Sequence, residues 1–177
     1  LLSIATSYTA DLVRTISVDL MPQVNGLISR GVLGSLSPYE VMKEMDGLLG
    51  RNAAQGVSYQ VERITRTELN RVYSIALDQQ VQALADKLDD PKTLKKVWVS
   101  GPYRPGRRRN HQDADGQEVP VDQPFIIIGE NGGKVKLMYP RALGPDNSPE
   151  ETINCGCSWK LSGESVEDAI LQTIRNL

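Results

Sequence analysis

From Val57 to Leu88 the chain contains neither Gly nor Pro and is rich in Ala, Leu, Glu, Arg and Gln. These residues lose little side-chain freedom in a helix, and the two strongest helix breakers are missing, so the segment predicts one helix of about thirty residues. A rod of roughly 45 Å is then the element around which the rest must be arranged. Asp90-Pro91 ends it, because a residue before proline is pushed out of helical geometry. Upstream, Leu2, Ala5, Tyr8, Leu12, Val13, Ile16 and Leu20 recur at three- and four-residue spacing, which lines one apolar face of an amphipathic helix. Pro22 and Gly26 interrupt that pattern. Ser37-Pro38-Tyr39-Glu40 supplies a serine cap, a proline in the first turn and a glutamate three residues after the cap, the start signal of a further helix through Val41, Met42, Met45, Leu48 and Leu49. Gly50 is its natural stop.

Beyond the long helix the punctuation changes. Val97 to Val99, Phe125 to Ile128, Val135 to Tyr139 and Ser158 to Leu161 are short β-favouring runs separated by loops containing Gly and Pro, and they predict a small, mostly antiparallel sheet. The strand register is not legible. Ser165-Val166-Glu167-Asp168 resembles another helix start and predicts a closing helix. The expected fold class is α+β: a helical N-terminal arm with one long helix over residues 1–91, followed by a compact α+β unit over 92–177 with a small mostly antiparallel sheet and a C-terminal helix.

Composition bounds the function. The longest strictly apolar run, Phe125 to Ile128, is far short of the ~20 residues a membrane span needs, so no membrane partner is expected. With 20 Lys+Arg against 22 Asp+Glu, no global basic field draws the chain onto nucleic acid, and any DNA contact must be local. Two cysteines, Cys155 and Cys157, do not make a disulfide framework, which favours a reducing compartment. The chain starts at Leu1 rather than Met, and the expectation is a trimmed start.

Four groups of residues carry candidate chemistry. Val61, Ile64, Glu68, Val72 and Ile75 form an apolar stripe with a carboxylate in its middle; an unpaired buried carboxylate is costly, so a structural ion pair with Arg66 or Arg71 is expected, a catalytic carboxylate or an exposed face being the other readings. Arg104, Arg107, Arg108 and Arg109 crowd one loop just before His111, the chain's single histidine. Guanidinium groups suit phosphate or carboxylate recognition, giving contact with DNA or a partner, against a solvated loop paired to Glu68, Glu118 or the acidic stretch 146–151. His111, Cys155 and Cys157 offer three donors suited to zinc, the other readings being reduced structural thiols or redox use. Asp113 and Asp115 beside His111 suggest a weaker divalent site for phosphodiester hydrolysis, or simply a hairpin turn at Asp115-Gly116. There is no phosphate-cradling Gly-rich loop, Gly-x-Ser-x-Gly elbow or His-Glu-x-x-His, and catalysis is not expected.

The order of these residues carries more than any one of them. Arg66-Thr67-Glu68 in a long helix, Trp98 in a strand, the arginine loop leading to His111, Asp115-Gly116, Pro124-Phe125, Pro140 and Asn154-Cys155-Gly156-Cys157 together resemble the Mu F-like head-morphogenesis family of tailed bacteriophages over roughly residues 60 to 160. Gly156 stands where that family usually has Arg, and the first cysteine pair of some members is absent near residues 102–109. The resemblance implies a minor head protein of the virion, in the head interior or at the portal vertex and in the host cytoplasm during assembly. It would act in head assembly, genome packaging or delivery, with the portal protein, the major capsid protein and packaged DNA as partners. On that reading Leu12 and Ile16 lie in a partner interface. The alternatives are a metal-dependent nuclease-like or toxin-like module using the His111 loop, and a DNA-binding accessory factor.

Overall fold

Residues 18–50, 58–102, 106–129, 131–142, 149–163, 165–167 and 171 are described in the computed structural model of the protein. The expected first helix, with Leu12 and Ile16, lies outside these residues except for a closing 3-10 turn, Val18–Leu20. The fold is α+β, in two compact units, residues 1–73 and 74–177.

In the first unit, helix α1 spans Met21–Val32 and helix α2 spans Pro38–Leu48. Pro22 and Gly26 do not interrupt structure here. Pro22 sits in the first turn of α1, where its missing N–H would have no partner anyway, and burial of Val24, Leu27 and Ile28 outweighs the helical cost of Gly26, about 1 kcal/mol. The two helices close on one another at Gly31, where a Cβ would come within 2.8 Å of Val41 Cγ2. Ser37 caps α2 reciprocally: its N–H donates to Glu40 Oε2 at 2.7 Å, and the Glu40 N–H donates to Ser37 Oγ at 3.3 Å. Helix α3, Tyr59–Ala85, is the long helix, and its Val61, Ile64 and Leu69 join Val24, Ile28, Val41 and Met45 in this unit's core.

The second unit holds the sheets. Strands β1 (Lys95–Val99), β2 (Glu118–Pro120) and β5 (Ser158–Leu161) form an antiparallel sheet in the order β2-β1-β5. Strands β3 (Phe125–Ile128) and β4 (Lys134–Leu137) form a separate hairpin with Phe125 opposite Leu137. Two short helices, α4 (Arg109–Asp113) and α5 (Pro149–Thr152), stand where loops were expected. At the C-terminal end residues 163, 165–167 and 171 are helical. The division into units falls at Tyr73 and Ser74. The reason is packing: Val81 and Ala85 of α3 belong to one core with Leu94, Trp98, Phe125 and Leu137, and Gln82 Nε2 donates to the Val121 carbonyl at 2.9 Å.

Lys96 is wholly buried on the same face of β1 as Trp98. Its Nζ donates to the carbonyls of Val121 (2.9 Å) and Met138 (2.8 Å) and lies 5.3 Å from the Phe125 ring centre and 5.9 Å from that of Trp159. Burial pushes its pKa down to about 8, opposed by the carboxylates of Asp78 and Asp122. Between pH 8 and 10.5 the unfolded chain therefore binds more protons at this residue than the folded one, so stability rises with pH across that window, and the cost is fully present below it. The expected gain is at most about 3 kcal/mol. Urea titrations at pH 7.5 and 10 should show it in the wild type and lose it in Lys96→Met; parallel pH profiles for the two proteins would contradict it.

Candidate metal centre

The short helix α4 and the loop before β5 bring three donors together. His111 Nδ1, Cys155 Sγ and Cys157 Sγ all lie within 4.8 Å of one another, with the imidazole nitrogen 3.4 Å and 3.5 Å from the two sulfurs. All three residues are buried, and both cysteines are free thiols. Among the described residues no other cluster of His, Cys, Asp or Glu has this character. The Trp98 ring meets His111 edge to face at 5.5 Å and Phe125 at 5.3 Å, so the imidazole is walled by aromatic surface on one side.

The cysteine turn is built by its backbone. Asn154 adopts a left-handed conformation, φ 55°, which Asn tolerates better than most residues. The turn is then held from behind by Arg141, whose Nη1 donates to the carbonyls of both Cys155 and Cys157 at 2.7 Å while Nη2 donates to Ser74 Oγ at 3.0 Å. Hydrogen bonding with Cys157 holds the Cys155 thiol well below its ordinary pKa, while the bond to Cys155 together with burial raises that of Cys157. Two sulfurs and one imidazole nitrogen are the donors zinc prefers over hard cations; this centre can hold a metal ion.

The arginine loop is used locally. Arg108 Nη2 donates to the Ile153 carbonyl at 2.7 Å. The Arg107 guanidinium lies between two glycines: a Cβ on Gly101 would stand 3.3 Å from it and one on Gly156 3.4 Å. Both arginines therefore brace the segment leading into the cysteine turn. Arg109 is exposed beside a cleft of about 470 Å³ lined by Asn110, Asp113, Gln117, Ile126 and Ile128 among others, and Arg104 lies outside the described residues. The acidic pair next to His111 does not converge on it. Asp115 Oδ1 accepts the Ser100 N–H at 2.7 Å and Gly116 turns with φ 76°, while Asp113 is exposed at the cleft. That fits the turn reading of Asp115-Gly116.

On α3, Glu68 pairs with Arg71: Nη1 reaches both carboxylate oxygens, at 2.7 Å and 2.9 Å, and both side chains are buried. Arg66 instead pairs with Glu62 on the exposed face.

Arg141 has no counterpart in the sequence analysis, and Glu151 enters it only within the acidic stretch 146–151, as a partner for the arginines. Glu151 Oε2 lies 2.6 Å from His111 Nε2 although 40 residues separate them, and no local pattern announces that contact. Arg141 is a buried charge after Pro140 with φ 68°, and nothing in its neighbourhood marks it as the holder of two carbonyls.

No protein-family model and no solved structure matches the chain. Over 97 residues, 54% of this chain and 29% of the relative, it is 33% identical to the uncharacterized protein YqbB of Bacillus subtilis. Over 99 residues, 56% of this chain and 18% of the relative, it is 33% identical to the NAD(+)–arginine ADP-ribosyltransferase EFV of Enterococcus faecalis. The shared stretch is thus less than a third of either relative's length. Among the described residues no helix is long and apolar enough to cross a membrane.

Proposed function

We propose that the chain is a minor head protein of a tailed bacteriophage, acting at the portal vertex or in the head interior during assembly, packaging or delivery, with a non-catalytic zinc centre at His111, Cys155 and Cys157. The observation that carries this reading is convergence. The residues of the ordered motif set that follow Arg66-Thr67-Glu68 are scattered between 98 and 157, yet Trp98 meets His111 and Phe125 edge to face, His111 faces Cys155 and Cys157, and Asp115 fastens the chain end of β1 at Ser100. A set that builds one local structure is what a shared module leaves in sequence. Recurrence of a related stretch as a minor part of two longer proteins supports a module of this kind. Zinc, when bound, would cross-link the cysteine turn to α4 and contribute directly to folding.

The test is co-expression of the tagged chain with the portal and major capsid proteins of the same genome, read by native mass spectrometry. A defined complex with portal, lost in Leu12→Asp and Ile16→Asp, is the expected result; a lone monomer in every combination would reject it. DNA is a secondary partner here, and its contact through Arg109 should weaken steeply with salt.

A second reading draws on one relative's name: arginine ADP-ribosyl transfer. Incubation with labelled NAD and a small guanidine acceptor separates the two. Transfer by the purified chain would establish the enzyme and displace the structural role.

A further inference from the structure

We infer that Glu151 is the positioning residue of the metal centre: it fixes His111 in the tautomer that carries its proton on Nε2, so that the lone pair of Nδ1 faces the two cysteine sulfurs. The inference rests on the zinc reading above. An ionised carboxylate can only accept a hydrogen bond. With Glu151 Oε2 at 2.6 Å, His111 Nε2 must be the donor, and a neutral imidazole then has a single lone pair, on Nδ1, the nitrogen 3.4 Å from Cys155 Sγ and 3.5 Å from Cys157 Sγ.

Glu151 is itself fixed. The Asn110 amide donates to both of its oxygens at 3.0 Å, and Asn110 Oδ1 accepts the His111 backbone N–H at 3.0 Å. Asn110, His111 and Glu151 therefore close a ring of hydrogen bonds that sets the plane of the imidazole. Glu151 is 4% exposed and His111 3%. A carboxylate this deep is stable only with its acceptor positions filled, and they are filled by the ligand it orients and by the neighbour that orients it. Outer-shell carboxylates on ligating histidines act in this way, raising ligand basicity and setting ring orientation.

Cys155, His111 and Glu151 also have the connectivity of a nucleophile, base and orienting acid. Two observations favour the metal. Both sulfurs, rather than one, approach Nδ1, and Cys155 is only 1% exposed, whereas a reactive cysteine is partly accessible. The neighbouring cleft is lined by Asn110 but by neither cysteine.

His111 is the only histidine, so a long-range proton–nitrogen correlation spectrum of the imidazole reports its tautomer without assignment. The experiment combines that spectrum with zinc titration against a competing chelator under reducing conditions, for wild type, Glu151→Ala and Glu151→Gln. The wild type should show the Nε2–H tautomer and bind one zinc. Glu151→Ala should bind about 10–100-fold more weakly, and Glu151→Gln, which keeps an oxygen acceptor, should recover the tautomer and most of the affinity. A folded Glu151→Ala that binds zinc as tightly as wild type would overturn the role of Glu151 alone. If that variant does not fold, an Nδ1–H tautomer in the wild type overturns it. A wild type that takes no zinc overturns the metal reading and this role with it, and rapid alkylation of Cys155 in that protein would establish the nucleophile instead.

Discussion

Arg71→Ala is expected to destabilise the protein by about 3–5 kcal/mol, which puts it among the most damaging single substitutions available. Glu68 and Arg71 are one helical turn apart on α3, and two hydrogen bonds join them out of contact with water. Truncating the arginine removes both hydrogen bonds that its Nη1 gives a buried carboxylate and takes away that carboxylate's counter-charge, so the penalty is that of a weakened buried ion pair rather than of one lost contact. Two companions make the prediction specific. The double variant Glu68→Leu/Arg71→Met removes both charges at similar volume and should recover most of the loss. Arg66→Ala breaks only the exposed pair with Glu62 and should cost less than about 1 kcal/mol. Urea midpoints for the four proteins decide the matter, and an Arg71→Ala midpoint equal to that of Arg66→Ala would contradict it.

Arg141→Ala is expected to cost of the order of 2–6 kcal/mol, since each buried carbonyl left without its donor costs about 1–3 kcal/mol. It should also expose the cysteine turn, because the carbonyls concerned belong to Cys155 and Cys157. Arg141→Lys should restore little, as an ammonium cannot reproduce the guanidinium fork that reaches two carbonyls and Ser74 at once. Arg141→Gly separates backbone from side chain. It relieves the left-handed φ of 68° and should be more stable than Ala by about 1 kcal/mol, yet leave the thiols equally unprotected. Thermal midpoints together with the rate of thiol labelling provide the readout. Wild-type labelling rates in Arg141→Ala would show that the turn holds itself.

What could be read from the sequence was local or periodic. The Ser37 and Glu40 cap, the uninterrupted α3 and the runs that became β1, β3, β4 and β5 depend on neighbours within a few residues. The stripe through Glu68 was legible for the same reason, since helical periodicity places Arg71 one turn on. Strand periodicity likewise puts Lys96 on the face of Trp98, a signal that the double lysine at 95 and 96 obscures. Strand β2 and helices α4 and α5 are three to five residues long, too short for a period to emerge. The centre was half visible: His111, Cys155 and Cys157 are recognisable donors by residue type, but Glu151 and Arg141 take their roles from contacts across 40 and 14 residues. Nothing in one dimension reports such contacts.

The sheet order β2-β1-β5 also fixes a sequence of events. Strand β1 pairs with β5 through Trp98 and Trp159, so the edge that carries the cysteine turn into place is supplied about sixty residues after β1 has left the ribosome. Closing so long a loop costs entropy that local structure does not return. Until β5 docks, His111 and the thiols are strangers in the chain, and the cysteines are open to oxidation or to alkylating reagents. Protection of Cys155 and Cys157 should therefore be the last signal to mature during refolding, after helix formation is complete, and their labelling rate is a clock for the final step of assembly.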